Sequence, residues 1–122
     1  MIAHILSYHP AMVKMKNLVD SGELGSLLYI YSRRVNLGRV HRKENALWAL
    51  APYDIAAALE LTGTMPVDVS ARGSKCLSKD IEDVIFLNMR FPDGIMANFQ
   101  FSWLDPQKKR QLTVVGNKKM AV

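Results

Sequence analysis

The sequence predicts an α+β domain: an open, mostly antiparallel β-sheet with helices packed on one face. Three observations carry that prediction. The helical signals, "PAMVKMKNLV" and "ALWALAPYDIAAALELTG", both fall in the first half of the chain. From Met65 onward the pattern becomes alternation, with Ile85, Leu87, Met89 and Phe91 set against Phe86, Asn88 and Arg90. Hairpin-type turn signals, "PDG" at 92–94 above all, separate the alternating stretches. Helices with an apolar stripe, followed by two-sided strands of period two, pack as a sheet covered by helices on one side.

Taken in order, residues 2–6 read as a short apolar strand and "SYHP" as its exit turn. Pro10 opens a helix to about Val19, because its fixed φ and missing N–H suit the first helical position. "DSGELG" ends that helix, since Gly22 and Gly25 can take the left-handed backbone that helix ends prefer. "SLLYIYSRRVN" (26–36) is rich in β-branched and aromatic residues and reads as a strand. Residues 36–47 form a polar loop, of a length that compact domains usually keep for function. In the next helix Pro52 is placed at the first helical position and Asp54 as the cap. Residues 55–61 are apolar almost all round, which predicts a buried helix running to Gly63. Its positive end then falls at Tyr53 and Asp54, a place to hold an anion or a reacting oxygen.

Beyond Gly63 the chain reads as β throughout. "MPVDVSARGSKCL" sets Val67, Val69 and Ala71 inward against Asp68, Ser70 and Arg72. "EDVIFLNMRF" and "GIMANFQFSWL" form a hairpin around "PDG". "RQLTVVG" adds a strand and "NKK" turns into "MAV", so a meander of antiparallel neighbours is expected.

Composition narrows the function classes. A chain of 122 residues, 49% hydrophobic and 22% charged, is a single folded domain over 1–122 rather than a disordered segment. No apolar run approaches the ~20 residues of a membrane span, and no signal-peptide pattern opens the chain. Cys76 is the only cysteine, so no intrachain disulfide forms, and a reducing cytoplasm is the expected compartment. In its strand Cys76 reads as a buried structural residue. His4, His9 and His41 show no metal-ligand spacing, so no metal site is expected. No G-x-G-x-x-G or Walker loop occurs, so these residues build no standard nucleotide cradle. No Ser/His/acid or Cys/His set stands out either. The net charge of +5 gathers in "RRVNLGRVHRK" (33–43) and "KKR" (108–110). No nucleic-acid motif accompanies it, so neither nucleic acid nor a membrane is an expected partner. The "KKR" run reads as ordinary surface charge. The first cluster differs: its arginines are interleaved with Asn36, Gly38 and Asn45, a mixture of forked donors, amides and a flexible residue suited to one specific polar ligand.

The segments "SYHPAMVKMKNLVDSGELGSLLYIYSRRVNLGRV", "LWALAPYDI" and "IEDVIFLNMRFPDGIMANFQFSWLDPQKKRQLTVVGNKKM" together resemble the C-terminal domain of the Gfo/Idh/MocA oxidoreductases. That family is NAD(P)-dependent and includes glucose–fructose oxidoreductase and inositol dehydrogenase. The resemblance spans essentially all 122 residues and is nearest the UDP-N-acetylglucosamine 3-dehydrogenase-like branch. It implies the dihydrodipicolinate-reductase-like fold, also seen in the C-terminal domain of glyceraldehyde-3-phosphate dehydrogenase. It further implies that this chain is the substrate-binding and oligomerisation half of an enzyme. Residues 1–9 then match the last strand and exit turn of a Rossmann domain that carries the glycine fingerprint and a Glu-Lys-Pro lysine. NAD or NADP is the implied cofactor, not bound by this chain alone. The implied partners are a sugar ligand, at least a second copy of the chain through the sheet face, and a Rossmann domain, in a separate chain if not in cis.

Site residues carry over from the resemblance one by one. The family's general-base histidine falls at Tyr53 and its aspartate, four residues earlier, at Ala49. A phenol is a far weaker base at neutral pH than an imidazole. Tyr53 is therefore either a substrate-contacting or packing residue, or a replacement base supported by a lysine or a helix dipole. Arg34, Asn36 and Gly38 match the segment lining the sugar-nucleotide pocket, with Arg39 and Arg42 as phosphate contacts and Asp54 as a further substrate-binding residue. Tyr8, His9 and Pro10 match the interdomain turn beside the nicotinamide, where His9 is a positioning residue. Trp48 either flanks the substrate or packs in the core. The rival expectation is a non-catalytic dimerisation or ligand-sensing module that kept the fold, favoured by Ala49 and Tyr53.

Overall fold

A computed structural model describes residues 9–37, 45–76 and 79–122. The predicted strand at 2–6 and Tyr8, with Gly38, Arg39 and Arg42, lie outside them. Helix α1 (Pro10–Asp20) leads into strand β1 (Leu27–Leu37), and helix α2 (Ala46–Thr62) follows. Five strands complete the order: β2 (Asp68–Ser74), β3 (Val84–Arg90), β4 (Met96–Ser102), β5 (Leu104–Gly116) and β6 (Met120–Ala121). They form one six-stranded sheet in the order β2-β3-β4-β1-β5-β6.

All neighbours in that sheet are antiparallel except β1 and β4, which run parallel with Ile30 opposite Ala97 and Arg34 opposite Phe101. The meander expectation therefore fails in the middle of the sheet. Only Trp103 separates β4 from β5. One residue is too short for a hairpin loop. The chain instead passes the end of β1 and returns antiparallel on β1's other side, with Leu104 opposite Leu37. Around "PDG" the predicted hairpin is present. Phe91 N–H donates to Ile95 O at 2.8 Å, and Gly94 takes φ +81.

One face of the sheet holds the core. Ile30, Leu87, Met89, Phe99, Phe101 and Val114 are buried there, as the alternation required. Helix α2 lies over them through small residues. Ala46, Ala51, Ala57 and Ala58 are buried, so the helix backbone comes close above the stacked rings of Phe99 and Phe101. The opposite helix face is solvated: Trp48 is 72% exposed and Tyr53 41%. A helix buried all round is thus corrected to a one-sided one. Alanine hides the asymmetry, because it is equally at home on either face.

The start of α2 needs a second correction. The helix begins at Ala46, where Asn45 caps it by accepting the Trp48 N–H through Oδ1 at 3.0 Å. Pro52 sits inside the helix and Asp54 caps nothing. The Asn45 cap outcompetes the proline signal because a side-chain acceptor satisfies free N–H groups. Strand β2 is exposed along its whole length. Val69 and Ala71 face the correct side but lie at the sheet edge, beyond the reach of α2. Cys76, expected to be buried, is exposed just past β2, its N–H donating to Asp83 Oδ1 at 2.8 Å.

At the far end of the sheet, the link from α1 to β1 is stapled to the β5–β6 turn. Asn117 Oδ1 accepts the Ser26 N–H at 2.9 Å, and Lys118 N–H donates to Leu24 O at 3.0 Å. Gly116 permits this approach, since a Cβ there would lie 2.1 Å from the Leu24 carbonyl oxygen. Among the described residues no helix is long and apolar enough to cross a membrane.

Candidate functional site

Strand β1 changes character along its length. On the helix-side face it runs from Ile30 through Ser32 to Arg34, so the apolar floor gives way to polar groups near its end. Antiparallel β5 follows the same gradient, with Val114 opposite Ile30, Leu112 opposite Ser32 and Arg110 opposite Arg34. Above them α2 points Asp54 down at the sheet. Tyr53, one residue earlier and so about 100° round the helix, turns toward the rim.

Asp54 is the hub of the site. Its Oδ1 accepts from Arg34 Nη2 at 3.1 Å, and its Oδ2 from Arg34 Nε at 3.2 Å and Ser32 Oγ at 3.2 Å. The side chains are 7% and 16% exposed for Asp54 and Arg34. Two charges this deep carry a desolvation cost that only good geometry and further hydrogen bonds offset. The forked bidentate pair plus the serine supply both. The guanidinium so fixed lies 5.4 Å from the Tyr53 ring centroid, in cation–π range.

The N-terminus of α1 closes the remaining side. His9 Nδ1 accepts the Ala11 N–H at 3.2 Å, which caps the helix, while Pro10 starts it. His9, Met12, Arg34, Tyr53, Arg110 and Leu112 together line a pocket of 220 Å³. That volume lies below the ~300–1,000 Å³ usual for drug-sized ligands and suits a single sugar-sized ring.

Of the residues singled out from sequence, His9, Arg34, Tyr53 and Asp54 are brought to this one pocket. Asn36 lies two residues beyond Arg34 on β1, with its Oδ1 buried and unpartnered among the described residues. Trp48 is 72% exposed, so the core alternative is corrected, and it does not line this pocket. The idea that the α2 N-terminus sits at Tyr53 is corrected: Tyr53 is seven residues into the helix, roughly 10 Å from its start. A dipole effect that fades within the first turn does not reach that position. Sequence reading missed Arg110 and Ser32. Arg110 was legible as the next member of the Val114, Leu112 alternation, had the "KKR" run been read as part of the strand. Ser32 carried no sequence signal of its own. Among the described residues no group of three or more His, Cys, Asp or Glu side chains gathers as a metal would need.

Fold and pocket define an open-sheet α+β domain whose single helical layer shelters an arginine-bearing polar pocket. Solved structures share the architecture. The aldose–aldose oxidoreductase from Caulobacter crescentus, complexed with glycerol, superposes with a TM-score of 0.86 at 22% identity, over 98% of this chain and 39% of that one. UDP-N-acetylglucosamine 3-dehydrogenase from Acidithiobacillus ferrooxidans gives 0.77 at 24% identity, over 93% and 35%. Scyllo-inositol dehydrogenase from Lactobacillus casei, with bound NAD(H) and scyllo-inositol, gives 0.84 at 16%, over 99% and 40%. The chain therefore spans well under half the length of these proteins. No curated protein sequence matches it. The family described as "GFO/IDH/MocA C-terminal domain" matches residues 12–122, and the chain belongs to it.

Proposed function

We propose that this chain is the substrate-side domain of an NAD(P)-dependent oxidoreductase that acts on a hydroxyl of a sugar or nucleotide sugar. The observation that carries the reading is the buried Asp54–Arg34–Ser32 set, which fixes a guanidinium against Tyr53 at the wall of a ring-sized pocket. Arginine, tyrosine and histidine donors around an apolar floor are the chemistry that holds a polyol.

The fit to a nicotinamide cofactor is one-sided. His9 and Tyr53 leave an exposed rim on which a nicotinamide ring can rest, while no glycine-rich phosphate loop occurs in the sequence. A neighbouring Rossmann domain would hold the dinucleotide, and the cofactor, when bound, would accept hydride from the substrate carbon. The chain's own contribution is to bind and orient the ring, with the Tyr53 hydroxyl at the mouth. Arg39 and Arg42 remain candidate phosphate contacts for a nucleotide sugar.

The test is titration of scyllo-inositol and UDP-N-acetylglucosamine into the chain, followed by NMR. At least one binds, Arg34→Ala weakens it about tenfold or more, and Tyr53→His leaves it nearly unchanged. NAD added alone does not bind. Failure of every sugar and polyol to bind removes the reading.

A second reading, a ligand-sensing or dimerisation module, is favoured by Ala49 and Tyr53 at the positions where the family resemblance places an aspartate and a histidine. It predicts sugar binding without turnover even when a Rossmann domain is supplied in cis or in trans.

A further inference from the structure

The two arginines of the pocket are not equivalent. Arg34 and Arg110 lie directly opposite each other on β1 and β5, on the helix-side face. Like charges placed directly opposite on one sheet face are destabilising. Asp54 relieves only half of that conflict, because both its oxygens are engaged by Arg34, with Ser32 sharing one of them. The Arg110 side chain has no hydrogen bond or ion pair among the described residues, and it lines the same pocket. Two guanidinium groups against one carboxylate leave a single uncompensated positive charge on the described wall.

The donors divide in the same way. An arginine carries five N–H donors. Arg34 gives Asp54 one from Nε and one from Nη2, so its remaining N–H groups are neutralised in charge but still able to donate to hydroxyls. Arg110 is exposed and keeps both its charge and its fork.

Resting on the sugar-pocket reading above, we propose that the ligand is a sugar or polyol ring bearing one anionic substituent, a carboxylate or a phosphate. Arg110 binds the anionic group and Arg34 binds ring hydroxyls. The pocket volume points the same way, since 220 Å³ suits one ring and its substituent.

The experiment titrates D-glucuronate, D-glucose 6-phosphate and D-glucose into the chain at low salt, with affinities read by NMR. At least one anionic sugar binds about tenfold or more tightly than glucose, a difference of one charge-assisted hydrogen bond. The larger of the two preferences identifies the carboxylate or the phosphate. Arg110→Gln removes the preference, Arg110→Lys keeps part of it, and added salt erodes it. Because Arg110 is exposed and its neutralisation relieves the repulsion from Arg34, the glutamine variant unfolds at or above the wild-type midpoint, which shows that a lost preference is not a lost fold. Equal affinity for all three sugars, or a preference that survives Arg110→Gln, overturns the proposal. Absence of glucose binding as well as acid binding brings down the sugar-pocket reading itself. Glucose binding with no acid preference brings down this inference alone.

Discussion

At the scale of single residues, Asp54 decides more than any other side chain. It stands in a helix that is otherwise nearly all apolar, and it is buried at the point where the helix crosses β1. A lone carboxylate there would be prohibitive. Paired with Arg34 and Ser32 it becomes a fixed polar centre that holds one arginine over the Tyr53 ring. Removing one partner of such a pair strands the other charge away from water. Asp54→Ala is therefore expected to destabilise the chain by about 3–5 kcal/mol, measured by urea unfolding. Replacing both partners, Asp54→Leu with Arg34→Met, recovers most of that stability, since apolar side chains of similar volume need no compensation. An Asp54→Ala variant as stable as wild type would show that the pair is not the buried unit described here.

At the scale of elements, α2 carries an internal conflict. Pro52 lies inside the helix, where it has no N–H to donate to the Trp48 carbonyl and its ring crowds that turn. The helix tolerates this because its core side, Ala51, Asp54, Ala57, Ala58 and Leu61, is held by the sheet and by the Asp54 pair. Pro52→Ala is expected to raise stability by up to about 3 kcal/mol, read as a higher thermal midpoint with increased helical circular dichroism. A lower midpoint would mean that the proline ring makes packing contacts worth more than the missing hydrogen bond. The same element argument explains the sheet order. A one-residue link at Trp103 forbids a β4–β5 hairpin, and β1 fills the place between those strands.

At the scale of the whole molecule, the sheet has one covered and one open face. The open face carries Tyr29 stacked on Tyr31 at 6.1 Å, with Phe86 and Met96 exposed on neighbouring strands. Apolar surface gathered in this way marks an association surface. We propose that this face joins at least two copies of the chain. Light scattering at micromolar concentration should give a dimer or larger, and Tyr31→Lys should shift it toward monomer while leaving sugar affinity intact, because the pocket lies on the other face. A wild-type monomer would refute this. The opposite edge is different: β2 is exposed throughout, and its Asp68 and Arg72 keep charges on the free strand, a common defence against unwanted pairing.

What the amino-acid sequence determined by itself is the local part of this protein. The α1 start at Pro10, the β3–β4 hairpin around 92–94, and the burial of Ile85, Leu87 and Met89 were all readable. Each depends on backbone preferences and periodicities that act within a few residues. The family, too, was legible, because its segments lie in order along the chain. Tertiary structure decided the rest. The Arg34–Asp54 pair joins residues 20 apart, and the facing of Arg34 and Arg110 follows from β5 passing around β1. The true start of α2 depended on which of two capping signals the fold would use, and the exposure of β2 on how far α2 reaches across the sheet. Such features turn on which distant surfaces come to face each other. Charge and hydrophobicity along the chain specify the surfaces, and only the packed sheet specifies their partners.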